Sequence, residues 1–187
     1  MEPYFEIRNH WLYPARHVPS PNQDARPPDQ AVSLLVVHGI SLPPGEFGGP
    51  YIEQLFTNTL KPDEHPFFAE IAHLRVSAHV LIRRDGAVVQ FVPFHRRAWH
   101  AGASQWRGRM RCNDFSIGVE LEGTDVLPYT PEQYACLISL AEVVRSHYGI
   151  SEIAGHCHIA PVRKTDPGAA FDWAYVRSRL LDLGWNA

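Results

Sequence analysis

The chain has 187 residues, 45% hydrophobic and 20% charged, with a formal net charge of -3. These proportions describe one soluble domain with a real core, and the near-neutral balance argues against nucleic acid or an anionic membrane as a partner. No apolar run is long enough to span a bilayer, the N-terminus lacks the layout of a signal peptide, and three cysteines are too few and too odd in number for a disulfide framework, so a reducing, cytoplasmic setting is expected.

Residues 1–30 are rich in Pro, Asn, Asp and Arg and read as an extended arm packing on the domain, with little regular structure. The domain proper is expected over residues 31–187. It opens with AVSLLVVH at residues 31–38, a short apolar run without clean alternation. That describes a central strand buried on both faces, and it delivers His38 to the strand's carboxyl end, where open α/β sheets place ligands. A long loop over residues 41–50 follows. Pro50 can start a short helix carrying Ile52, Leu55 and Phe56. Residues 60–75, with Pro62, Pro66 and the Phe67, Phe68 pair, are ambiguous and suited to framing a groove.

Two β-rich runs, residues 77–82 and 87–92, flank RRDG at 83–86 and predict a hairpin with Gly86 in the turn. Trp99 and His100 lie in the following loop and suggest a ligand wall. Residues 116–122, SIGVELE, predict a strand with Phe115, Ile117, Val119 and Leu121 on one side and Ser116, Gly118, Glu120 and Glu122 on the other. Pattern alone places the two glutamates on a solvated face; the other possibility is a carboxylate that is paired or used, because burying one is costly. TPEQ at 130–133 is a capping box with Pro at the first helical position. It opens an amphipathic helix whose stripe of Tyr134, Leu137, Ile138, Ala141, Val144 and Tyr148 belongs to the core, with Cys136 off the stripe and Gly149 as the stop. A final helix is expected from Asp172, its cap, to Gly184, its stop. The order predicts an α/β fold: a single domain with a central mixed β-sheet flanked by α-helices.

The densest chemistry lies in GHCHIAPVRKTDPG at residues 155–168, where Pro161, Pro167 and Gly168 are expected to keep the segment from becoming helix or strand. Catalytic zinc keeps three protein ligands and an open position, and two histidines with one carboxylate is a common set. Spacing leaves three triads open: His38 with His156 and Asp166, His38 with His156 and His158, or the loop residues alone. A strand over residues 153–158 would put His156 and His158 on one face. Lys164 suits an oxyanion and Glu120 suits a general base, if each faces the metal.

The stretches SLLVVHGISLPPGEFGGP, HPFFAEIAHLRVSAHVLIRRDGAVVQFVPF, RAWHAG, RCNDFSIGVELEGTD, PYTPEQY, GHCHIAPVRKTDPG and FDWAYVR, spanning roughly residues 16 to 177, resemble the cytosolic N-acetylmuramoyl-L-alanine amidases of the AmpD type, within the zinc amidase and peptidoglycan-recognition superfamily. The resemblance implies zinc (Zn2+) held by His38, His156 and Asp166, catalysis by Glu120 and Lys164, and substrate binding by Arg75, Arg111, Ala98, Trp99 and His100. It implies an anhydro-muramoyl peptide from cell-wall recycling as the small-molecule substrate, cut in the cytoplasm between lactyl group and L-alanine. A monomer is expected. Phage and animal relatives carry a Tyr near the metal where this chain has Ala78. Two departures from the family pattern stand out: Gly39 in place of Asn, and His158 in place of Asp. They keep open an amidase for a different amide. A non-catalytic muropeptide-binding module is the other alternative, against which stand all three ligands with Glu120 and Lys164.

Overall fold

The computed structural model describes residues 3–185. Four short strands come first, β1 (Glu6–Arg8), β2 (Trp11–Tyr13), β3 (Arg16–His17) and β4 (Gln23–Ala25), then the long strand β5 (Leu34–Ile40). Helices α1 (Tyr51–Phe56) and α2 (Pro66–Ile71) lead to β6 (Val80–Ile82), β7 (Val88–Gln90), β8 (Arg96–Ala98), β9 (Gln105–Trp106) and β10 (Arg109–Met110). A 3-10 turn, Cys112–Asp114, precedes β11 (Ser116–Glu122), and α3 (Pro131–Tyr148), β12 (Glu152–Gly155), the single turn α4 (His156–Ile159) and α5 (Trp173–Asp182) complete the order.

The main sheet has six strands in the order β12-β5-β11-β6-β7-β3. The first four are parallel, β7 is antiparallel to β6, and β3 adds parallel to β7. The mixed α/β architecture is therefore the expected one. β5 is interior because its apolar run satisfies both faces at once: Leu35 and Val37 pack with Ile117, Val119, Leu121 and the α3 residues Leu137, Ala141 and Val144, whereas Leu34 and Val36 face Phe115, Ala154 and Ile159 on the other side. Each such side chain, taken fully out of water, contributes about 1.5–3 kcal/mol. Phe115, expected alongside Ile117, precedes the strand and packs on the opposite face.

The hairpin forms as predicted, with Val80 opposite Gln90 and Gly86 at a φ of 83°. The α3 capping box is complete: Gln133 N donates to Thr130 Oγ1 (3.2 Å) and Thr130 N to Gln133 Oε1 (3.1 Å). The amide of Gln133 also donates to Ile82 O and Glu122 O, tying the helix start to two strands. Cys136, off the expected stripe, is buried and its Sγ donates to Gly86 O at 3.2 Å. The ambiguous segment contains α2, whose first turn is capped by His65 Nδ1 accepting from Phe67 N. Asp172 caps α5 by accepting from Tyr175 N at 2.8 Å.

Two expectations need correction. Of the arm expected over residues 1–30, the described residues 3–30 are more ordered than their composition suggested: β1 and β2 form a hairpin, β4 pairs with β8, and β3 joins the main sheet. Arg26 fixes this segment from within, its guanidinium donating to Phe94 O, Asn113 O, Asp114 O and Ser116 O. Nor do Glu120 and Glu122 lie on a solvated face; they are 8% and 2% exposed. β11 is covered on both sides, and Glu122 is satisfied by Arg83 Nη1 at 3.1 Å and by the backbone N–H groups of Gly48 and Arg84. Among the described residues no helix is long and apolar enough to cross a membrane.

Candidate active site

β5, β11 and β12 run parallel and end side by side. Glu120 and His38 are register partners, and Gly155 is paired with Val37, so His156, the first residue after β12, arrives next to His38. Here the chain does not continue as a strand. It makes the single turn α4 before Pro161, contrary to the expectation that the segment forms neither helix nor strand. The turn separates the two histidines. His156 faces His38, while His158 Nδ1 folds back to accept from Gly155 N at 3.0 Å and its ring packs 5.0 Å from that of Trp173. The His-x-His strand pair is thereby excluded, and the His where the family pattern has Asp serves as a helix cap. Asp166 returns to the site because Asp166 O accepts from Cys157 N (2.9 Å), and the neighbouring Pro167 O accepts from Tyr129 Oη (2.9 Å).

Three donor atoms converge. His38 Nδ1 lies 3.0 Å from His156 Nδ1 and 3.3 Å from Asp166 Oδ2, and His156 Nδ1 lies 3.1 Å from Asp166 Oδ2. Two imidazoles and a carboxylate at about 2.0–2.1 Å from one tetrahedral zinc ion stand about 3.3 Å from each other. The set fits zinc in donor type, number and spacing, and it is the one His/Cys/Asp/Glu group of this kind among the described residues. His156 Nε2 is 3.3 Å from Ala101 O, which can only accept, so this ring carries its proton on Nε2 and turns a lone pair to the shared point.

Burial pushes the His38 pKa down to about 4, so the imidazole is neutral. Burial alone would raise Asp166, but the adjoining His156 and His38 side chains outweigh it and hold the carboxylate well below its ordinary range. Glu120 behaves oppositely: burial, reinforced by the charge of Asp166 and opposed by Lys164, raises its pKa well above the usual carboxylate value. Its Oε2 is buried without a hydrogen-bond partner and lies on the wall of the cleft. Burial also holds His100 well below its ordinary pKa.

The cleft has a volume of about 230 Å³, and its lining combines the apolar Leu55, Phe56, Leu74 and Val76 with the three converging residues, Glu120 and Lys164. Trp99 and His100 line it as expected, their loop fixed by Ser77 Oγ accepting from Trp99 N and Asn113 Oδ1 accepting from His100 N and Ala101 N. Three expected substrate contacts are not on its lining. Ala98 is fully buried beneath the wall, in the cluster that also holds Ala78. Arg75 is exposed and folded onto its own neighbours, donating to His73 O and Leu74 O. Arg111 is exposed and paired with Asp114 at 3.3 Å. Gly39 is explained by Tyr129: a Cβ at position 39 would lie 2.4 Å from the phenol oxygen. Sequence reasoning missed Tyr129, Ser116 and Gly118; only the alternation that puts Ser116 and Gly118 on the Glu120 face of β11 pointed to the last two.

Two histidines and an aspartate that could hold a metal, with a buried glutamate beside them, are the parts of a metal-assisted hydrolase. A family model described as N-acetylmuramoyl-L-alanine amidase (Amidase_2) matches residues 28–169, and the chain belongs to that family. It is 65% identical over 170 residues to the 1,6-anhydro-N-acetylmuramyl-L-alanine amidase AmpD of Salmonella typhimurium strain SL1344, covering 90% of this chain and 91% of the relative. It is 64% identical over 169 residues to the protein of the same name from Escherichia coli K12, covering 89% and 92%. Among solved structures, a selenomethionine AmpD derivative superposes with a TM-score of 0.90 at 61% identity over 92% of this chain and 98% of the other. The E. coli amidase AmiD in complex with anhydro-N-acetylmuramic acid-L-Ala-D-gamma-Glu-L-Lys superposes at 0.59 with 26% identity, covering 98% and 66%.

Proposed function

We propose that the protein is a zinc-dependent, monomeric, cytoplasmic amidase that hydrolyses the bond between the lactyl group of 1,6-anhydro-N-acetylmuramic acid and L-alanine in muropeptides of cell-wall recycling. The observation that carries this is the convergence of His38, His156 and Asp166 beside Glu120 in one cleft. The names of relatives above 60% identity and the anhydro-muramoyl ligand of the AmiD complex support the substrate.

His38, His156 and Asp166 would hold zinc, which when bound supplies Lewis acidity and brings the pKa of a coordinated water towards ~7. Glu120 takes a proton from the attacking water and delivers one to the departing amine of L-alanine. Burial raises its pKa well above the ordinary carboxylate value, which makes it a stronger proton acceptor than a solvated glutamate. The Lys164 ammonium, on the cleft wall, balances the charge that grows on the carbonyl oxygen. Leu55, Phe56 and Trp99, on the cleft lining, limit water around the bond. Arg75 and Arg111, both exposed, are outer contacts for the carboxylates of the stem peptide.

The test is mass spectrometry of an anhydro-muramoyl tripeptide incubated with the protein, with and without chelator. Separate sugar and peptide products are expected, abolished by the chelator and restored by zinc. Survival of the intact molecule under all conditions refutes the reading.

A further inference from the structure

A neutral imidazole offers the Nδ1 lone pair only when its proton sits on Nε2. For His38, the structure contains a chain of hydrogen bonds whose direction can be read from its far end. Ser116 Oγ lies 2.6 Å from Cys112 O, which only accepts, so the hydroxyl proton is committed there. The same oxygen is 3.1 Å from His100 Nε2, which must then be the donor. His100 Nδ1 is left as an acceptor, 2.9 Å from His38 Nε2, and His38 must donate to it. Its lone pair is thereby turned to Nδ1, the atom facing His156 and Asp166.

A second observation points the same way. The His100 ring lies directly on β11 at Gly118, where a Cβ would stand 2.5 Å from His100 Cγ. No other residue leaves room for the ring, since real Cβ contacts are not that short. Ser116 and Gly118 share the face of β11 that carries Glu120, so one strand supplies the relay's anchor, the ring's seat and the base.

We propose that His100, seated on Gly118 and anchored through Ser116 to the Cys112 carbonyl, is a positioning residue that fixes the tautomer of His38 and so sets the affinity of the metal centre. This moves His100 from the substrate wall to the support of a ligand, and it rests on the zinc reading above.

The experiment is zinc affinity of the full chain by chelator competition. His100→Leu is expected to bind zinc roughly 10- to 100-fold more weakly, the usual cost of losing the partner of a ligating histidine. His100→Asn, which keeps an acceptor where Nδ1 was, recovers most of the loss. Gly118→Ala keeps every hydrogen-bonding group but displaces the ring, and weakens zinc as well. In metal-free wild type, nitrogen NMR places the His38 proton on Nε2. Wild-type affinity in His100→Leu, an Asn variant as weak as the Leu one, or a His38 proton on Nδ1 overturns the proposal. If His100→Leu does not fold, Gly118→Ala against wild type decides. A wild-type chain that takes up no zinc at all overturns the metal assignment and this proposal with it, an outcome distinct from unaltered binding in the variants.

Discussion

Glu120 and His38 are register partners on the adjacent parallel strands β11 and β5. Neighbouring strands are about 4.8 Å apart, so the backbone ladder, not a loop, sets the distance between these two residues. Glu120→Ala should therefore leave the ligands in place, retain stoichiometric zinc by elemental analysis, and lower kcat by roughly 10²–10⁴-fold. Wild-type turnover in that variant removes Glu120 from the mechanism.

The same burial has a thermodynamic signature. The folded protein holds the Glu120 proton to higher pH than the unfolded chain does. Between the unfolded value, about 4.3, and the raised folded one, the folded state binds more protons, so its stability falls as pH rises through that window. Glu120→Gln should raise the Tm of metal-free protein at pH 7, by about 2–4 °C for each kcal/mol recovered, and the gain should vanish below about pH 4. Equal melting curves at pH 7 contradict the account.

Asp166 and His158 give opposite outcomes. Asp166→Ala should lose zinc, because it removes one of three converging donors. His158→Ala should keep zinc and lose about 0.5–2 kcal/mol of stability, since this ring caps Gly155 N and packs on Trp173. Full metal occupancy in the Asp166 variant, with loss in the His158 variant, reverses the assignment.

If Lys164, on the cleft wall, acts on the carbonyl oxygen as proposed, its contribution comes only as charge develops there. Lys164→Met should lower kcat by about 10²–10³-fold with zinc content unchanged. A change confined to KM makes it a binding residue instead.

Much of this site was legible because β5 and the 155–168 stretch carry dense, directional patterns: an apolar run ending in His38, and a short segment crowded with ligating residues. Spacing alone could not choose among the triads, because that depends on one helical turn at His156–Ile159 that local propensity does not signal. The burial of Glu120 and Glu122 was hidden because alternation cannot distinguish a face open to water from one covered by Arg83, His100 and the converging His38, His156 and Asp166. The strands in residues 1–30 were missed because each is only two or three residues long and exists through long-range partners such as β7 and β8.

Arg26 is the strongest of those long-range ties. Its guanidinium satisfies two carbonyls within the Cys112–Asp114 turn, those of Asn113 and Asp114, and that of Ser116 at the start of β11. Arg26→Ala should cost about 2–4 kcal/mol in urea unfolding, since it leaves several buried carbonyls without donors. A loss under 1 kcal/mol shows the clamp to be redundant.

β3 has a consequence for how copies of this protein meet. Residues 16–20 run along β7, with Val18 N and Ser20 N donating to Gln90 O and Phe91 O. Without that cover the main sheet would end in a row of unpaired amides and carbonyls, a template for strand addition between molecules. Residues 16–20 thus cover the β7 edge; a chain trimmed to residue 31 exposes it and is expected to sediment as larger species than the full chain, and equal sedimentation contradicts this.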